Sequence, residues 1–299
     1  MFRLFLTCIR YSLIVKLLKC FIKINLVFTD SLNVYLSYCE AVWHYDCPKF
    51  IKTIYFNFRL CNPQQAIKCP IYVYGRTRIW SLSGNVSFDG ETIYSGMVKW
   101  GFNWGYRSNG VTIIRIEGNI TFKGTCLIAK ASDIAVFNEA FLSIGNGVEI
   151  LENTLIYCQD RISIGDNFSF AFQSSMFDTD FHYMVNVNEL KISRKSAPII
   201  IGDNVWIGNR TTIKKGVIIP NNTIVAASYS VLTKDYSSIP KYSVLGGCPA
   251  KVIATGYSRI WRDELNNTRM LEDFFKKSHK NIYHITSKKE KLDFIYECK

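Results

Sequence analysis

The side chains best able to carry out chemistry in this sequence lie close together. His182 follows Asp180 by two residues and Asp178 by four. Imidazole is the side chain best suited to proton transfer near neutral pH, and a carboxylate can orient it and stabilise its protonated form. The two aspartates could instead bind substrate hydroxyl groups or cap turns of a loop. The trio predicts general acid–base chemistry, with an idle imidazole on a surface loop as the alternative.

The remaining histidines and the cysteines argue against a metal site. The chain has four histidines and ten cysteines, with no Cys-x-x-Cys pair and no clustered set of ligands. His279 and His284 are five residues apart, whereas a pair on one helical face would be four apart. His44 lies in an aromatic and aliphatic stretch and is expected to be packed. We therefore expect no metal, and mostly free, buried thiols in a reducing cytoplasm.

Composition narrows the class of protein. The 299 residues are 48% hydrophobic and 20% charged, which excludes a disordered chain. The net charge of +12 predicts an affinity for anionic partners, such as phosphorylated small molecules, acidic glycans, anionic lipid or nucleic acid. No nucleic-acid recognition motif is present, so we expect no nucleic-acid partner.

A six-residue period organises the centre of the chain. Six aliphatic residues recur at this spacing without a slip: Ile201, Ile207, Ile213, Ile219, Val225 and Val231. The same step occurs upstream at Ile128 and Ile134, at Ile144, Ile150, Ile156 and Ile162, and, after a two-residue offset interpreted as a small insertion, at Ile164, Phe170 and Met176. Neither an α-helix nor an alternating strand has this period. It predicts a prism of short flat strands, three hexads to a coil, with an inner aliphatic column.

The chain divides into three regions on this pattern. Residues 1–69 are expected to form a basic amphipathic and helical region, residues 70–256 a β-helix with regular hexads from about residue 115, and residues 257–299 a helical tail. The first 28 residues are apolar but broken by basic residues, so no run is long enough to span a membrane. They could form a helix lying on an anionic membrane surface, or a helix packed on its own domain or a partner subunit.

Several ordered motifs carry a resemblance to a known family. The hexads, together with NVWIG (Asn204–Gly208), VLTKD (Val231–Asp235) and GGCPAKVI (Gly246–Ile253), resemble the hexapeptide-repeat acyltransferases, whose fold is a left-handed parallel β-helix. The segment FDTDFH resembles sugar and polysaccharide O-acetyltransferases of bacterial surface-glycan clusters. The resemblance covers about residues 115 to 256. Two departures are Cys248, where Asn is usual, and Tyr229, where Gly is usual.

The resemblance implies a mainly β protein that moves an acetyl group from acetyl-CoA to a hydroxyl of a sugar or surface-glycan precursor. His182 matches the catalytic base, and backbone N–H groups near Gly208 and Asn209 are candidates to stabilise the oxyanion. The expected residues of the acetyl-CoA site are Trp206, Gly208, Asn209, Ala227, Ser228, Thr233, Lys234 and Lys251. Lys214 and Lys215 could assist in binding its phosphates.

The same resemblance implies a homotrimer whose active sites form between neighbouring subunits. The scattered cysteines favour a cytoplasmic enzyme, and the basic residues 1–28 fit one that works near lipid-linked glycans at the inner face of the cell membrane. Two alternatives stay open: an N-acetyltransferase acting on an aminosugar, and a non-catalytic β-helix scaffold. A nucleotide-linked aminosugar would call for a Gly-rich turn ahead of the prism, and none is visible before residue 120. A zinc-dependent carbonic anhydrase would need three histidines in the coils, which contain one.

Overall fold

The computed structural model describes residues 48–90, 92–103, 109–261, 264–278, 280–286 and 294. The predicted helix of residues 1–28 lies outside these ranges, as do His44 and His279. Three helices occur in the described part: α1 (Phe50–Leu60), α2 (Pro63–Ala66) and α3 (Glu264–Ser278).

Twenty-two of the strands in the described part form three sheets. Sheet A contains β1 (Ile71–Val73), β4 (Val98–Phe102), β7 (Cys126–Ala129), β10 (Val148–Ile150), β13 (Ser169–Phe170), β18 (Trp206–Ile207), β21 (Ile224–Val225), β23 (Ser243–Gly246) and β24 (Lys251–Thr255). Sheet B contains β2 (Thr77–Leu82), β5 (Thr112–Ile116), β8 (Asp133–Val136), β11 (Leu155–Cys158), β14 (Ser175–Phe177), β19 (Thr212–Ile213) and β22 (Val231–Leu232). Sheet C contains β3 (Asn85–Phe88), β6 (Asn119–Phe122), β9 (Phe141–Ile144), β12 (Arg161–Ile164), β17 (Ile199–Ile201) and β20 (Ile218–Ile219). The remaining pair, β15 (Val185–Asn186) and β16 (Lys191–Ile192), is an antiparallel hairpin.

From β1 to β22 the chain visits sheets A, B and C in rotation, apart from the β15–β16 hairpin, so strands from successive coils pair side by side and in parallel. In sheet A, for example, Ile128 pairs with Ile150 and Ile150 with Phe170. The rotation ends after β22, where the chain returns to sheet A without a strand in sheet C, and β24 then runs antiparallel to β23. The predicted parallel β-helix is therefore confirmed, with each sheet forming one face of a prism.

The inner column follows the hexads with one exception. Ile207, Ile213 and Val225 are each no more than 1% exposed, as the period predicts. The inward position in the last hexad is occupied by Leu232, which is buried and pairs with Ile213, and not by Val231. The prediction of an unbroken register was therefore wrong at this point.

One extra residue in the corner between Val225 and Leu232 causes this slip. Ser228 and Tyr229 in that corner both adopt positive φ, at 69° and 71°, whereas the corner one coil below has a single such residue, Arg210. A second left-handed residue turns the chain far enough to absorb the insertion.

The two-residue offset at Ile162 and Ile164 does mark extra residues, but they lie just before Ile162. Ile144 pairs with Ile164, twenty residues along the chain, whereas Ile201 pairs with Ile219, only eighteen residues along. Ile162 and Ile164 are both buried on β12, so the two added residues fall in the corner between sheets B and C that precedes this strand.

Side-chain oxygens stack along the corner between sheets C and A. Asn221 Oδ1 accepts the Asp203 N–H at 2.8 Å, Asp203 Oδ1 accepts the Asp166 N–H at 2.8 Å, and Asp166 Oδ1 accepts the Asn146 N–H at 2.7 Å. This ladder satisfies N–H groups that the tight turns leave unpaired. It explains why Asn and Asp follow the Ile-Gly pairs of the hexads.

Helix α1 covers the first coil. The buried Asn57 side chain accepts the Ile71 N–H at 3.1 Å and donates to the Ile71 carbonyl at 2.7 Å. Thr53 Oγ1 accepts the Val73 N–H at 3.1 Å. The helix therefore supplies the hydrogen bonds that a preceding strand would otherwise make to β1.

Candidate active site

A long excursion, residues 178–198, leaves the prism between β14 and β17 at the corner between sheets B and C; we call it the arm. Its base is an antiparallel ladder in which the Asp180 N–H donates to the Lys195 carbonyl at 2.8 Å and the Ala197 N–H donates to the Asp178 carbonyl at 2.9 Å. The hairpin β15–β16 forms its outer part. This base fixes the backbone at the start of the arm, where His182 lies.

His182 is exposed on the arm. Its backbone N–H donates to the Asp180 carbonyl at 2.7 Å, which closes a tight turn. Its imidazole has no hydrogen-bond partner within the ranges that the structure describes. Both ring nitrogens are therefore open to a substrate.

Asp178 has a different environment from its expected partner. The side chain is buried, and its two oxygens accept the N–H groups of Gln159 at 2.7 Å and Asp160 at 2.8 Å. Burial raises the pKa of this carboxyl, while these two backbone hydrogen bonds act in the opposite direction. Asp178 thus caps the turn of the preceding coil, as the alternative prediction for this residue had it. Both of its carboxylate oxygens are engaged in these hydrogen bonds.

Asp180 connects the arm to the coil that follows it. Its carboxylate pairs with Lys215 Nζ at 2.7 Å, and both side chains are about three-quarters buried. The same ammonium donates to the Arg194 carbonyl at 2.7 Å. One lysine therefore ties both strands of the arm base to the prism. Lys215, expected to assist the cofactor, is engaged in this arm contact, whereas Lys214 is exposed.

An aromatic cluster fixes the residue next to His182. The ring of Phe181 packs edge-on against Tyr157 and Phe177, with centroids 6.1 Å away in each case. Neither these three aromatic residues nor the contact made by Lys215 is evident from the hexad pattern. The available signal was the outward position of Tyr157 and Phe177, one coil apart on sheet B.

The predicted cofactor residues fall into separate groups. Trp206 lies on β18 of sheet A, and the corner that follows, between sheets A and B, carries Gly208 and Asn209, with Ala227 and Ser228 one coil further on. The corner between sheets B and C carries Thr233 and Lys234, and Lys251 opens β24. The arm leaves the prism at the second of these corners. The width of sheet B therefore separates the arm base from the first group within one chain.

Gly208 and Asn209 differ in what they can offer an oxyanion. The Gly208 N–H already donates to the Val225 carbonyl at 2.8 Å, so its proposed use is contradicted by the ladder. The Asn209 N–H and side-chain amide have no hydrogen-bond partner among the residues described. Gly208 has a steric role instead, because a Cβ there would lie 2.5 Å from the Ala227 nitrogen.

Two guanidinium–aromatic contacts flank the corner between sheets A and B. Arg210 lies 5.8 Å from the exposed ring of Tyr229, and Arg259 lies 5.6 Å from the ring of Trp206. Arg259 also packs on Trp261 at 4.4 Å. The tail after β24 thus brings a cation to the predicted cofactor groove, which sequence reasoning missed because Arg259 lies outside the hexads.

The described residues were also compared with the requirements of a metal site, a membrane span and a disulfide. No group of three or more His, Cys, Asp or Glu side chains there is arranged to hold a metal ion. No described helix is both long and apolar enough to cross a membrane. Cys61, Cys69, Cys126 and Cys158 are free and buried, and Cys248 is free and exposed.

Part of the sequence is similar to that of known O-acetyltransferases. No family model matches the chain. The chain is 26% identical over 150 residues to the "Putative lipopolysaccharide biosynthesis O-acetyl transferase" of Escherichia coli strain K12, which covers 47% of this chain and 74% of the relative. It is 34% identical over 114 residues to galactoside O-acetyltransferase of the same strain, which covers 38% of this chain and 53% of the relative.

Among solved structures, a hexapeptide-repeat containing acetyltransferase of Vibrio cholerae O1 biovar eltor, complexed with acetyl coenzyme A, is 25% identical, with a TM-score of 0.32 and coverage of 44% of this chain and 63% of that one. The resemblance to sugar and polysaccharide O-acetyltransferases is confirmed, because the names of these two relatives are those of O-acetyltransferases of lipopolysaccharide biosynthesis and of galactosides. The chain spans about three-quarters of the first relative's length and about half of the second's.

Proposed function

We infer that this chain, a hexapeptide-repeat acetyltransferase, moves an acetyl group from acetyl-CoA to a hydroxyl of a sugar or surface-glycan precursor, with His182 as the general base. The observation that carries this proposal is the arm, whose base is locked to the prism and which presents an imidazole with both nitrogens open. An O-acetyltransferase needs such a base within reach of the acceptor hydroxyl.

The proposed role of His182 follows from the two proton transfers that the reaction requires. The imidazole takes the proton of the acceptor hydroxyl as its oxygen attacks the thioester carbonyl, and it returns a proton to the departing thiolate. The Asn209 N–H is the donor that we assign to the oxygen on which negative charge develops, since the Gly208 N–H is occupied. Asp180 acts on His182 through the arm base, which its pair with Lys215 holds in place.

The donor site that we propose contains the predicted cofactor residues and two additions. Arg210 and Arg259 are guanidinium groups beside the corner of sheets A and B, and phosphate groups are well matched by guanidinium donors. The chain's net charge of +12 favours the same anionic donor.

We further propose that the complete site forms between copies of the chain. Asn209 and His182 belong to opposite edges of sheet B, so the His182 of one copy would act on a donor held at the Asn209 edge of another, as in the expected homotrimer. The domain division at residues 69 and 256, and a cytoplasmic enzyme held at the membrane face by residues 1–28, remain parts of this proposal.

The proposal is tested by thioester consumption in the presence of saccharide acceptors. The His182→Ala variant should lose at least about a hundredfold in kcat, as expected for removal of a general base, while calorimetry shows acetyl-CoA binding as in the wild type. His284→Ala removes an exposed histidine outside the arm and should leave both measurements unchanged. Full turnover by His182→Ala would contradict the assignment of the base.

A further inference from the structure

A row of partly exposed aromatic rings runs from the arm base along sheet B, next to its corner with sheet C. The row contains Phe137, Tyr157, Phe177 and Phe181, and we call it the aromatic strip. Its centroids lie 6.2 Å apart from Phe137 to Tyr157 and 5.5 Å apart from Tyr157 to Phe177. Phe181, which is 40% exposed, closes the strip beside His182.

The strip has a polar rim. Tyr157 Oη donates to Asp133 Oδ2 at 2.8 Å. The Arg115 guanidinium lies 4.5 Å from the Phe137 ring and pairs with Glu117 at 2.9 Å. Successive rings of the strip pack edge to face, at 72° from Phe137 to Tyr157 and from Tyr157 to Phe177. Hydrogen-bonding groups thus border an apolar row of ring faces and edges.

This combination matches the chemistry of a saccharide. A pyranose ring presents a face of C–H groups, which packs on the electron-rich face of an aromatic ring, and a rim of hydroxyl groups, which need donors and acceptors. Small-molecule sites in general combine apolar and aromatic lining with a few placed polar groups. Ordinary packing accounts less well for the strip, because its rings remain partly exposed on an outer face.

The length of the strip indicates how much saccharide it accommodates. Phe137, Tyr157 and Phe177 belong to three successive coils, and adjacent parallel strands lie about 4.8 Å apart. One sugar unit beside His182 covers the Phe177 and Phe181 end and leaves Phe137 uncovered. Only a chain of sugar units reaches the distal ring.

We propose that the aromatic strip binds the acceptor as a glycan chain, with the acetylated unit at His182 and further units over Tyr157 and Phe137. The inference rests on the proposed function, which it deepens by assigning an oligosaccharide or polysaccharide acceptor in place of a free monosaccharide. Phe137 then contributes only to the binding of acceptors that are long enough to reach it.

The test compares acceptors of different length in the full-length enzyme. From a panel of free hexoses and N-acetylneuraminic acid, the sugar with the highest turnover is chosen, and its oligomers of two to five units are assayed in the same way. In the wild type, KM falls as the oligomer grows. Phe137→Ala is expected to raise KM about five- to tenfold for the longest oligomer and to leave KM for the monosaccharide unchanged. Phe137→Leu, which keeps an apolar side chain in place, should show the same split.

The matched control is Phe141→Ala. Phe141 is 48% exposed and carries the Arg161 guanidinium at 5.5 Å, but it lies on sheet C, across the corner from the strip. It should change no acceptor KM. An equal KM change for short and long acceptors in the Phe137 variants would overturn the inference, as would a change in oligomeric mass, which would identify the strip as a contact between copies. Absence of turnover with every saccharide would overturn the proposed function, and the inference with it.

Discussion

The imidazole of His182 is positioned by its backbone and by the arm base, and no carboxylate among the described residues is hydrogen-bonded to it. The sequence places Asp178, Asp180 and His182 close together, and in the structure all three lie at the start of the arm. It could not divide their roles, since spacing does not reveal that the Asp178 oxygens face the Gln159 and Asp160 N–H groups. Contacts between distant parts of the chain, such as Asp180 with Lys215, leave no local signature.

The Lys215→Met variant tests the role of this contact. It removes the charge that joins Asp180 to the Arg194 carbonyl, so the arm base loses its link to the prism. We expect kcat to fall about ten- to a hundredfold, because small displacements of a catalytic group are costly, with acetyl-CoA affinity unchanged. Steady-state kinetics and calorimetry measure the two effects separately.

Lys214→Met is the matched control, since Lys214 is the adjacent, exposed lysine. It should preserve kcat. Loss of acetyl-CoA affinity in Lys215→Met, with kcat preserved, would show that Lys215 serves the cofactor directly and would contradict its assignment to the arm.

At the scale of elements, the hexads predict the prism because each coil consists of three hexads, and each hexad places one aliphatic residue on the inner side of one face. The six-residue period fails between Val225 and Leu232, which are seven residues apart. The left-handed backbone of Ser228 and Tyr229 accommodates the extra residue. Sequence periodicity contains no information on which corner absorbs an insertion. It also assigns residues to corners without indicating which N–H groups remain free there.

Gly208 is an element-scale constraint that can be tested by substitution. A Cβ at this position would meet the Ala227 nitrogen at 2.5 Å and the Ala227 Cα at 2.6 Å. Gly208→Ala should therefore lower the free energy of unfolding by about 1–3 kcal/mol, measured by denaturant titration.

The double variant Gly208→Ala, Ala227→Gly serves as its control. Because the crowded atoms belong to the backbone, removal of the Ala227 methyl should leave the destabilisation in place. Full recovery in the double variant would show that side chains, and not the stacked backbones, set the spacing of these two coils.

At the scale of the whole molecule, sheet B separates the arm base from Asn209 within one chain. This separation is the reason for proposing that a second copy of the chain completes the site. A mixing experiment tests it directly. His182→Ala and Asn209→Trp, which places a bulky ring at the donor edge, should each be inactive alone, and co-refolding the two should restore part of the activity because some interfaces then pair an intact His182 with an intact Asn209.

Co-refolding His182→Ala with the doubly substituted chain is the control, because no interface in that mixture is intact. It should remain inactive. Failure of the first mixture to regain activity, although both variants assemble with the wild-type mass, would mean that each chain completes its own site.

The central claim is acetyl transfer to oxygen, and the most direct measurement follows carbon-13-labelled acetyl from acetyl-CoA into the saccharide by NMR, before and after mild alkali. We predict a labelled acetyl on the acceptor with the wild type, lost on alkaline treatment as an ester, and none with His182→Ala. A label that resists alkali would identify an amide and an aminosugar acceptor, and thioester loss without labelled saccharide would contradict the assignment of a glycan acceptor.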